Sequence, residues 1–420
     1  MAVARGGHIS LSSGKFAILG GGISGLAAAY HLLDKVKDPS NITVLESSDR
    51  VGGWMQSCAG ENGAVFELGP RSVRAVGKAG KATLKIAHDL GLERSILSVP
   101  SSHPAARNRF IYSQGSLHQL PVGILSIIKK QSLFSKSLLP TILREPFVRG
   151  KQDNADETVY DFFKRRMSEE VAEYISDPLC RGIFAGDTRL LSLKSCFPPV
   201  YQYENQHGSI VKGVLFTKEA PDTSVQSPLV ERAKNEHWTI WSLQGGMQTL
   251  PDKLHEVLKQ RGVNFLMNTP CTAVNFKPDG KLTVSWPKDQ ITVDQVISGL
   301  PAQTLANILP KDCVELASEL RNIQATTAGV VNLEYEGSVV PMEGFGYLVP
   351  SSEPLQVLGI IFDSCAFPEN DRRGQKTTRI TVMMGGHWFN SLFGHPDSVD
   401  PDHLQDIAIE TAEKNARHSH

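Results

Sequence analysis

The run Gly20-Gly21-Gly22-Ile23-Ser24-Gly25 places glycines at the three fixed positions of G-x-G-x-x-G, directly after the apolar stretch Phe16 to Leu19. Each glycine serves the grip on a dinucleotide. Gly20 permits a tight turn, Gly22 lets backbone amides approach a pyrophosphate, and Gly25 lets the following helix pack closely on its strand. The helix N-terminus then stabilises the phosphate charge. Glu46 stands 21 residues beyond Gly25, at the tip of a second β-branched run, Ile42 to Leu45. A carboxylate there accepts hydrogen bonds from ribose hydroxyls. The spacing predicts a dinucleotide site rather than a structural turn beside an ordinary surface acid. Other reactive residue types are dispersed. Six cysteines (Cys58, Cys180, Cys196, Cys271, Cys313 and Cys365) form no C-x-x-C pair, and none of the 13 histidines stands in a metal-spaced pair. Neither a metal site nor a disulfide scaffold is expected, only separate buried or half-buried thiols.

Elements must position these residues. Phe16 to Leu19 and Ile42 to Leu45 read as short strands, and Leu26 to Leu33 as an alanine- and leucine-rich helix between them. Together they predict a β-α-β unit. From about Leu97 to Ala233 the character changes. Pro104, Pro121, Pro140 and Pro146 interrupt the chain, strands are scarce, and Thr158 to Arg166 and Glu169 to Ile175 read as helices. Further on, Gly245 to Leu258 predicts a glycine-led helix, Val293 to Ile297 a strand, and Asn332 to Tyr335 and Ile380 to Met384 two more. The pattern predicts an α/β fold. A Rossmann-like dinucleotide domain is built from separated segments, 1–96 and 236–310. Region 97–235 is expected to be a helical membrane and substrate region, and 311–420 a mixed α+β substrate domain.

Bulk properties exclude some classes. The chain has 420 residues, 40% hydrophobic and 21% charged, enough for a large core in two or three domains. A net charge of −1 creates no field that would draw nucleic acid, so no nucleic-acid partner is expected. No apolar run reaches the roughly 18 residues that span a bilayer. The N-terminus lacks a secretory apolar core, and Arg5 and Lys15 precede the first acid, Asp34, which is compatible with organelle targeting. Val122 to Arg149 carries Ile124, Leu125, Ile127, Ile128, Leu133, Phe134, Leu138, Leu139 and Ile142. Lys129, Lys130, Lys136, Arg144 and Arg149 accompany them, against a single acid, Glu145. That composition suits a basic segment on a membrane surface, and equally a helix pair packed on the substrate domain.

Beyond Glu46, the run Glu46-Ser47-Ser48-Asp49-Arg50-Val51-Gly52-Gly53 matches E-x-x-x-R-x-G-G, the extended fingerprint of the amine oxidase-like flavoproteins. Arg50 is expected to neutralise phosphate or brace the acidic loop. Phe66 to Arg71, Leu243 to Met247 and Val296 to Ala302 resemble later motifs of that group, in order. His103 to Phe110, Asp177 to Asp187 and Gly344 to Ser352 resemble the protoporphyrinogen oxidase family, most nearly its animal members.

This resemblance implies FAD as cofactor, contacted by Gly20, Gly21, Gly22, Ile23, Ser24, Gly25, Glu46, Ser47, Trp54, Gly69, Pro70, Arg71, Ser72 and Cys271. The family usually holds an apolar residue at the Cys271 position. The resemblance also implies a substrate pocket of Arg109, Gly182, Phe345, Leu348 and Met383. No protein acid or base is expected to be catalytic, since the flavin carries the chemistry. Protoporphyrinogen IX would be oxidised to protoporphyrin IX by molecular oxygen, with hydrogen peroxide released and Arg109 pairing with a propionate. A homodimer is implied, as is a peripheral place on the intermembrane face of the mitochondrial inner membrane.

The family pattern continues for a strand, a glycine turn and a closing helix where this chain stops at His420. The 420-residue form is therefore expected to bind FAD poorly and to have little oxidase activity. Two other readings stay open. One is an impaired fragment that keeps dimer or membrane contacts. The other is a different flavoenzyme, such as an amine oxidase or carotene desaturase, against which the Arg109 and Phe345 neighbourhoods argue.

Overall fold

The computed structural model describes residues 13–151, 155–217, 225–340 and 342–417. Arg5, residues 418–420 and the side chains of Ile124 and Leu125 lie outside the described residues.

Phe16–Leu19 is buried along its whole length, as a strand covered on both faces must be. It pairs in parallel with Ile42–Leu45 on one side and with Gln295–Ser298 on the other. Asn264–Leu266 completes the four-stranded sheet beyond Ile42–Leu45. One parallel sheet is thus assembled from two stretches far apart in sequence. The helix after the glycines runs Ile23–Leu33, three residues earlier than its apolar run suggested, and buries Leu26, Ala29, Leu32 and Leu33. Full burial of such a leucine contributes about 1.5–3 kcal/mol.

Two predicted boundaries shift for local reasons. Gly245 and Gly246 have φ of +84° and +98°, so they form a left-handed turn, and the helix proper is Thr249–Gln260. The strand expected at Val293 to Ile297 is divided at Asp294. Its amide donates to the Lys15 carbonyl and its carboxylate accepts from the Lys15 amide. Asp289–Val293 therefore ends a three-stranded antiparallel sheet, and Gln295–Ser298 begins the parallel pairing.

The second large sheet has six strands in the order Thr327–Glu336, Thr377–Gly386, Val357–Ile361, Gly346–Leu348, Phe110–Ser113 and Ser116–Gln119. The last two come from the region expected to be poor in strands. Gln114 and Gly115, both at positive φ, close them into a tight hairpin. Side chains alternate across this sheet. Tyr347, Ile360, Val382 and Met384 share a core with Leu404, Ile407 and Ala408 of the helix Pro401–Arg417. The opposite face carries Thr381 and Asn332, which bond to each other, and Asn332 also donates to the Glu67 carbonyl of the dinucleotide half.

The middle of the chain is largely helical. Thr158 caps Val159–Arg166, and Glu169–Val171 leads through one widened turn, Ala172–Ser176, into Asp177–Phe184. Glu145, fully buried, ties this region together. It accepts from Arg166 Nε at 2.8 Å, Ser209 Oγ at 2.5 Å and the amides of Ile210 and Val211 at the start of the helix Ile210–Phe216. Burial pushes its carboxyl up, and the four sets of donors more than offset this, holding it below the usual carboxylate range. The segment 122–149 turns much of its apolar content inward: Phe134 and Leu138 are buried, packed with Ile127, Leu133 and Ile142 against Val171.

Candidate functional site

Gly20 sits at φ +95°, which a glycine tolerates without strain. A Cβ on Gly25 would lie 1.9 Å from the Gly20 carbonyl oxygen, so only glycine lets the helix start this close to its strand. Gly22 differs. A Cβ there would meet only the Gly53 Cα, at 3.8 Å, leaving an open cradle between two glycine loops. No side chain caps the helix at Gly22 and no acid lies in its first turn. The Glu46 carboxylate reaches the same loop, accepting from the Gly21 amide at 2.7 Å and from the Ser48 amide and hydroxyl at 2.9 and 2.8 Å. Ser47 Oγ adds a bond at 3.2 Å. Partial burial raises the Glu46 pKa, but these bonds from Ser48, Gly21 and Ser47 prevail and keep it below the usual value. Arg50 braces the second loop through Gly53 O, at 2.7 Å. The Thr269 amide donates to Glu46 O, which brings the half-buried Cys271 segment beside the acid.

Trp54 is 85% exposed. A Cβ on Gly69 would lie 1.9 Å from the Trp54 carbonyl oxygen, so the loop Gly69-Pro70-Arg71-Ser72 crosses that turn in close contact. The Arg71 side chain is buried and pairs with Asp363 at 3.0 Å. Thr381 Oγ1 lies 2.7 Å from the Asp363 carboxylate and also within hydrogen-bond reach of Asn332 Oδ1, so its single proton is shared between two acceptors. Asn332 Nδ2 then donates to the Glu67 carbonyl at 3.0 Å. The Glu67 carboxylate accepts from the Met247 amide and Ser57 Oγ, both at 2.7 Å. Burial raises the Glu67 pKa despite these two bonds. A continuous polar network therefore joins the glycine-loop half to the six-stranded sheet.

The residues expected to hold substrate gather along one end and one row of that sheet. Arg109 precedes Phe110–Ser113, and Phe345 precedes its parallel neighbour Gly346–Leu348. The guanidinium lies 5.0 Å from the Phe345 ring centre and is held by the Ala105 carbonyl at 2.5 Å. It has no ion-pair partner among the described residues, and burial lowers its pKa. Leu348 and Met383 both align with Gly359 on the strand between them. Gly182 lies against Leu348, since a Cβ there would be 2.4 Å from Leu348 Cδ2. Asp177 fixes this helix, accepting from the Ser351 amide at 2.6 Å and from Thr188 Oγ1 at 3.2 Å.

Comparison with known proteins fits this geometry. Residues 23–408 match the family described as flavin containing amine oxidoreductase. A protoporphyrinogen oxidase of Homo sapiens is 45% identical over 399 residues, covering 94% of this chain and 82% of the human protein. The chain belongs to the flavin-containing amine oxidoreductases, in their protoporphyrinogen oxidase branch. Protoporphyrinogen oxidase of Schizosaccharomyces pombe is 31% identical, with 96% and 83% of the two chains covered. Among solved structures, a putative protoporphyrinogen oxidase from Exiguobacterium superposes with a TM-score of 0.73 at 21% identity, covering 96% of this chain and 83% of that one. That likeness shows the shared fold.

The cofactor of this flavoprotein branch is FAD, and the residues present suit it. The open cradle at Gly22, the uncapped helix start and the ionised Glu46 form a dinucleotide-binding set. Reading of the sequence missed Ser48, which orients Glu46, and the chain Asp363, Thr381 and Asn332. The serine pair beside Glu46 was visible. Asp363 stands 292 residues from Arg71, and nothing local marks it as a partner.

Proposed function

We propose that this flavoprotein oxidises protoporphyrinogen IX to protoporphyrin IX in heme biosynthesis, with molecular oxygen reduced to hydrogen peroxide. Its similarity to named protoporphyrinogen oxidases supports the activity. Within the chain, the supporting observation is Arg109, a half-buried cation stacked on Phe345 with no acidic partner among the described residues. Desolvating an unpaired guanidinium is costly, so the site favours an incoming carboxylate, and a planar fork suits a propionate. FAD, when bound, supplies the hydride-accepting ring. Phe345, Leu348 and Met383 give the apolar contact that positions a macrocycle and excludes water, with Gly182 leaving room beside Leu348. We assign FAD contact to the glycine loop, Glu46, Ser47, Trp54, the loop 69–72 and Cys271. The flavin domain is assigned to 1–96 and 236–310.

Porphyrin fluorescence and peroxide formation from protoporphyrinogen, in flavin-loaded protein, test the activity directly. Absence of both would overturn it. Arg109→Ala is expected to lower kcat/KM by about 10–100-fold, mostly through KM, because a hydrogen bond to a charged group is worth about 1.5–3 kcal/mol. An unchanged KM would remove Arg109 from the site.

We also propose a homodimer and peripheral attachment to the mitochondrial inner membrane on its intermembrane face. No helix among the described residues is long and apolar enough to cross a membrane. Outward apolar surface comes from Val214, Leu215 and Phe216, and from Leu143 and Phe147, the last 87% exposed. Their helix and turn meet at buried Glu145. Leu143 and Phe147 belong to the expected segment 122–149, which spends Phe134 and Leu138 on its own core, and the helix Ile210–Phe216 supplies the rest of the face. Phe147→Asp/Phe216→Asp should release the protein from anionic vesicles in sedimentation, with flavin content unchanged. Equal sedimentation of variant and parent would assign attachment elsewhere.

A further inference from the structure

A cavity of about 750 Å³ adjoins the anchors of the Arg109–Phe345 pair on the side away from Met383. That volume lies in the range of roughly 300–1,000 Å³ typical of sites for small organic molecules. Pro104, Val340, Met342 and Phe362 give it an apolar wall. Ser364 and Thr378 in its lining already donate to Asp371 and to the Gly337 carbonyl, but other polar groups there are unused donors. Thr377 is 7% exposed, and its Oγ1 has no hydrogen-bond partner among the described residues. Lys376, next to it, forms no ion pair among the described residues. His103 Nδ1 accepts from the Ala105 amide at 3.1 Å, so the neutral ring carries its proton on Nε2 as a further donor. Of the two lining acids, Asp371 is held by Arg379 and Ser364, which leaves Glu343 as the only carboxylate facing these donors without a cation of its own.

We propose that this cavity binds an amphipathic carboxylate, its head at Lys376 and Thr377 and its apolar body along Pro104, Val340, Met342 and Phe362. A fatty acid and the porphyrin product share that chemistry. The walls also anchor the clamp. The Glu343 carbonyl accepts from Asn108 Nδ2 at 2.8 Å, and the Ala105 carbonyl accepts from Arg109. A bound carboxylate restrains both walls, preorganises Arg109 and lowers the KM for substrate several-fold. This last effect rests on the reading of Arg109 as the propionate partner; the binding itself does not.

Isothermal titration of the full chain with dodecanoate and, separately, with protoporphyrin IX tests the site. Saturable one-to-one binding of at least one probe is expected, weakened at least tenfold in Lys376→Gln/Thr377→Val and several-fold in the exposed Lys376→Gln alone. Thr377→Val keeps side-chain shape, and turnover without added carboxylate should match the parent. Sensitivity of dodecanoate alone assigns a lipid-derived ligand, and sensitivity of protoporphyrin assigns product feedback. Methyl dodecanoate should not bind. No saturable binding of either acid, or binding indifferent to both variants, would overturn the site whatever Arg109 does.

Discussion

Gly22→Val is expected to leave the protein folded and strip it of flavin, whereas Gly25→Ala, a smaller change three residues on, should damage the fold itself. At Gly22 the backbone is extended, with φ −68° and ψ 172°, which any residue adopts, and a Cβ has room. The methyls beyond it enter the cradle where a pyrophosphate needs close backbone approach. Losing two or three hydrogen bonds to a charged group, each about 1.5–3 kcal/mol, weakens flavin binding by two or more orders of magnitude. At Gly25 even a methyl would sit 1.9 Å from the Gly20 carbonyl oxygen, inside the packing of Ile23–Leu33 on Phe16–Leu19. Relieving that contact requires backbone movement and costs about 1–3 kcal/mol or more. Flavin bound per mole after loading with excess FAD and thermal melting, each read against the FAD-loaded parent chain, separate the two outcomes. Normal flavin content in Gly22→Val would show that the loop has only a structural part.

Asp363→Ala should be the most destabilising single substitution in the network beneath the site. Both members of the Arg71–Asp363 pair are buried, and removing one leaves the other charge without its partner. Breaking such a pair costs about 3–5 kcal/mol, and the Thr381 hydroxyl loses one of its two acceptors as well. Because Arg71 lies in the loop that crosses Trp54, flavin content should fall with stability. Replacing both partners, Arg71→Met/Asp363→Leu, should restore much of the lost stability without restoring turnover. Urea unfolding across the double-mutant cycle measures the coupling. A single-substitution loss below about 0.5 kcal/mol would mean that the pair contributes little to holding the two halves together.

What could be read beforehand follows from how local each signal is. The glycine loop and Glu46 are legible because turn, helix start and strand tip lie within one contiguous β-α-β unit. Arg109 and Phe345 became candidates only through resemblance. Their meeting depends on parallel pairing of strands more than 230 residues apart, through Phe110 and Tyr347. The hairpin after Arg109 was overlooked because each strand is four residues long between prolines, although Gln114-Gly115 is a recognisable turn. In 122–149 composition is conspicuous, yet packing on Val171 claims Phe134 and Leu138, while Leu143 and Phe147 of the same segment stay exposed. Composition shows which residues avoid water. It does not show which neighbour will cover them.

The parallel sheet has a consequence for biogenesis. Ile42–Leu45 leaves the ribosome early, but its neighbour Asn264–Leu266 is made about 220 residues later, roughly 10–45 s at ordinary elongation rates. Until then one strand edge is open, and Phe16–Leu19 also waits for Gln295–Ser298. Nascent chains of this length carry unpaired hydrogen-bonding edges lined with isoleucine, valine and leucine, which are templates for aggregation. Chaperones that occupy extended apolar segments should therefore crosslink to residues 16–45 in ribosome-bound chains shorter than about 260 residues, and let go once the second stretch emerges.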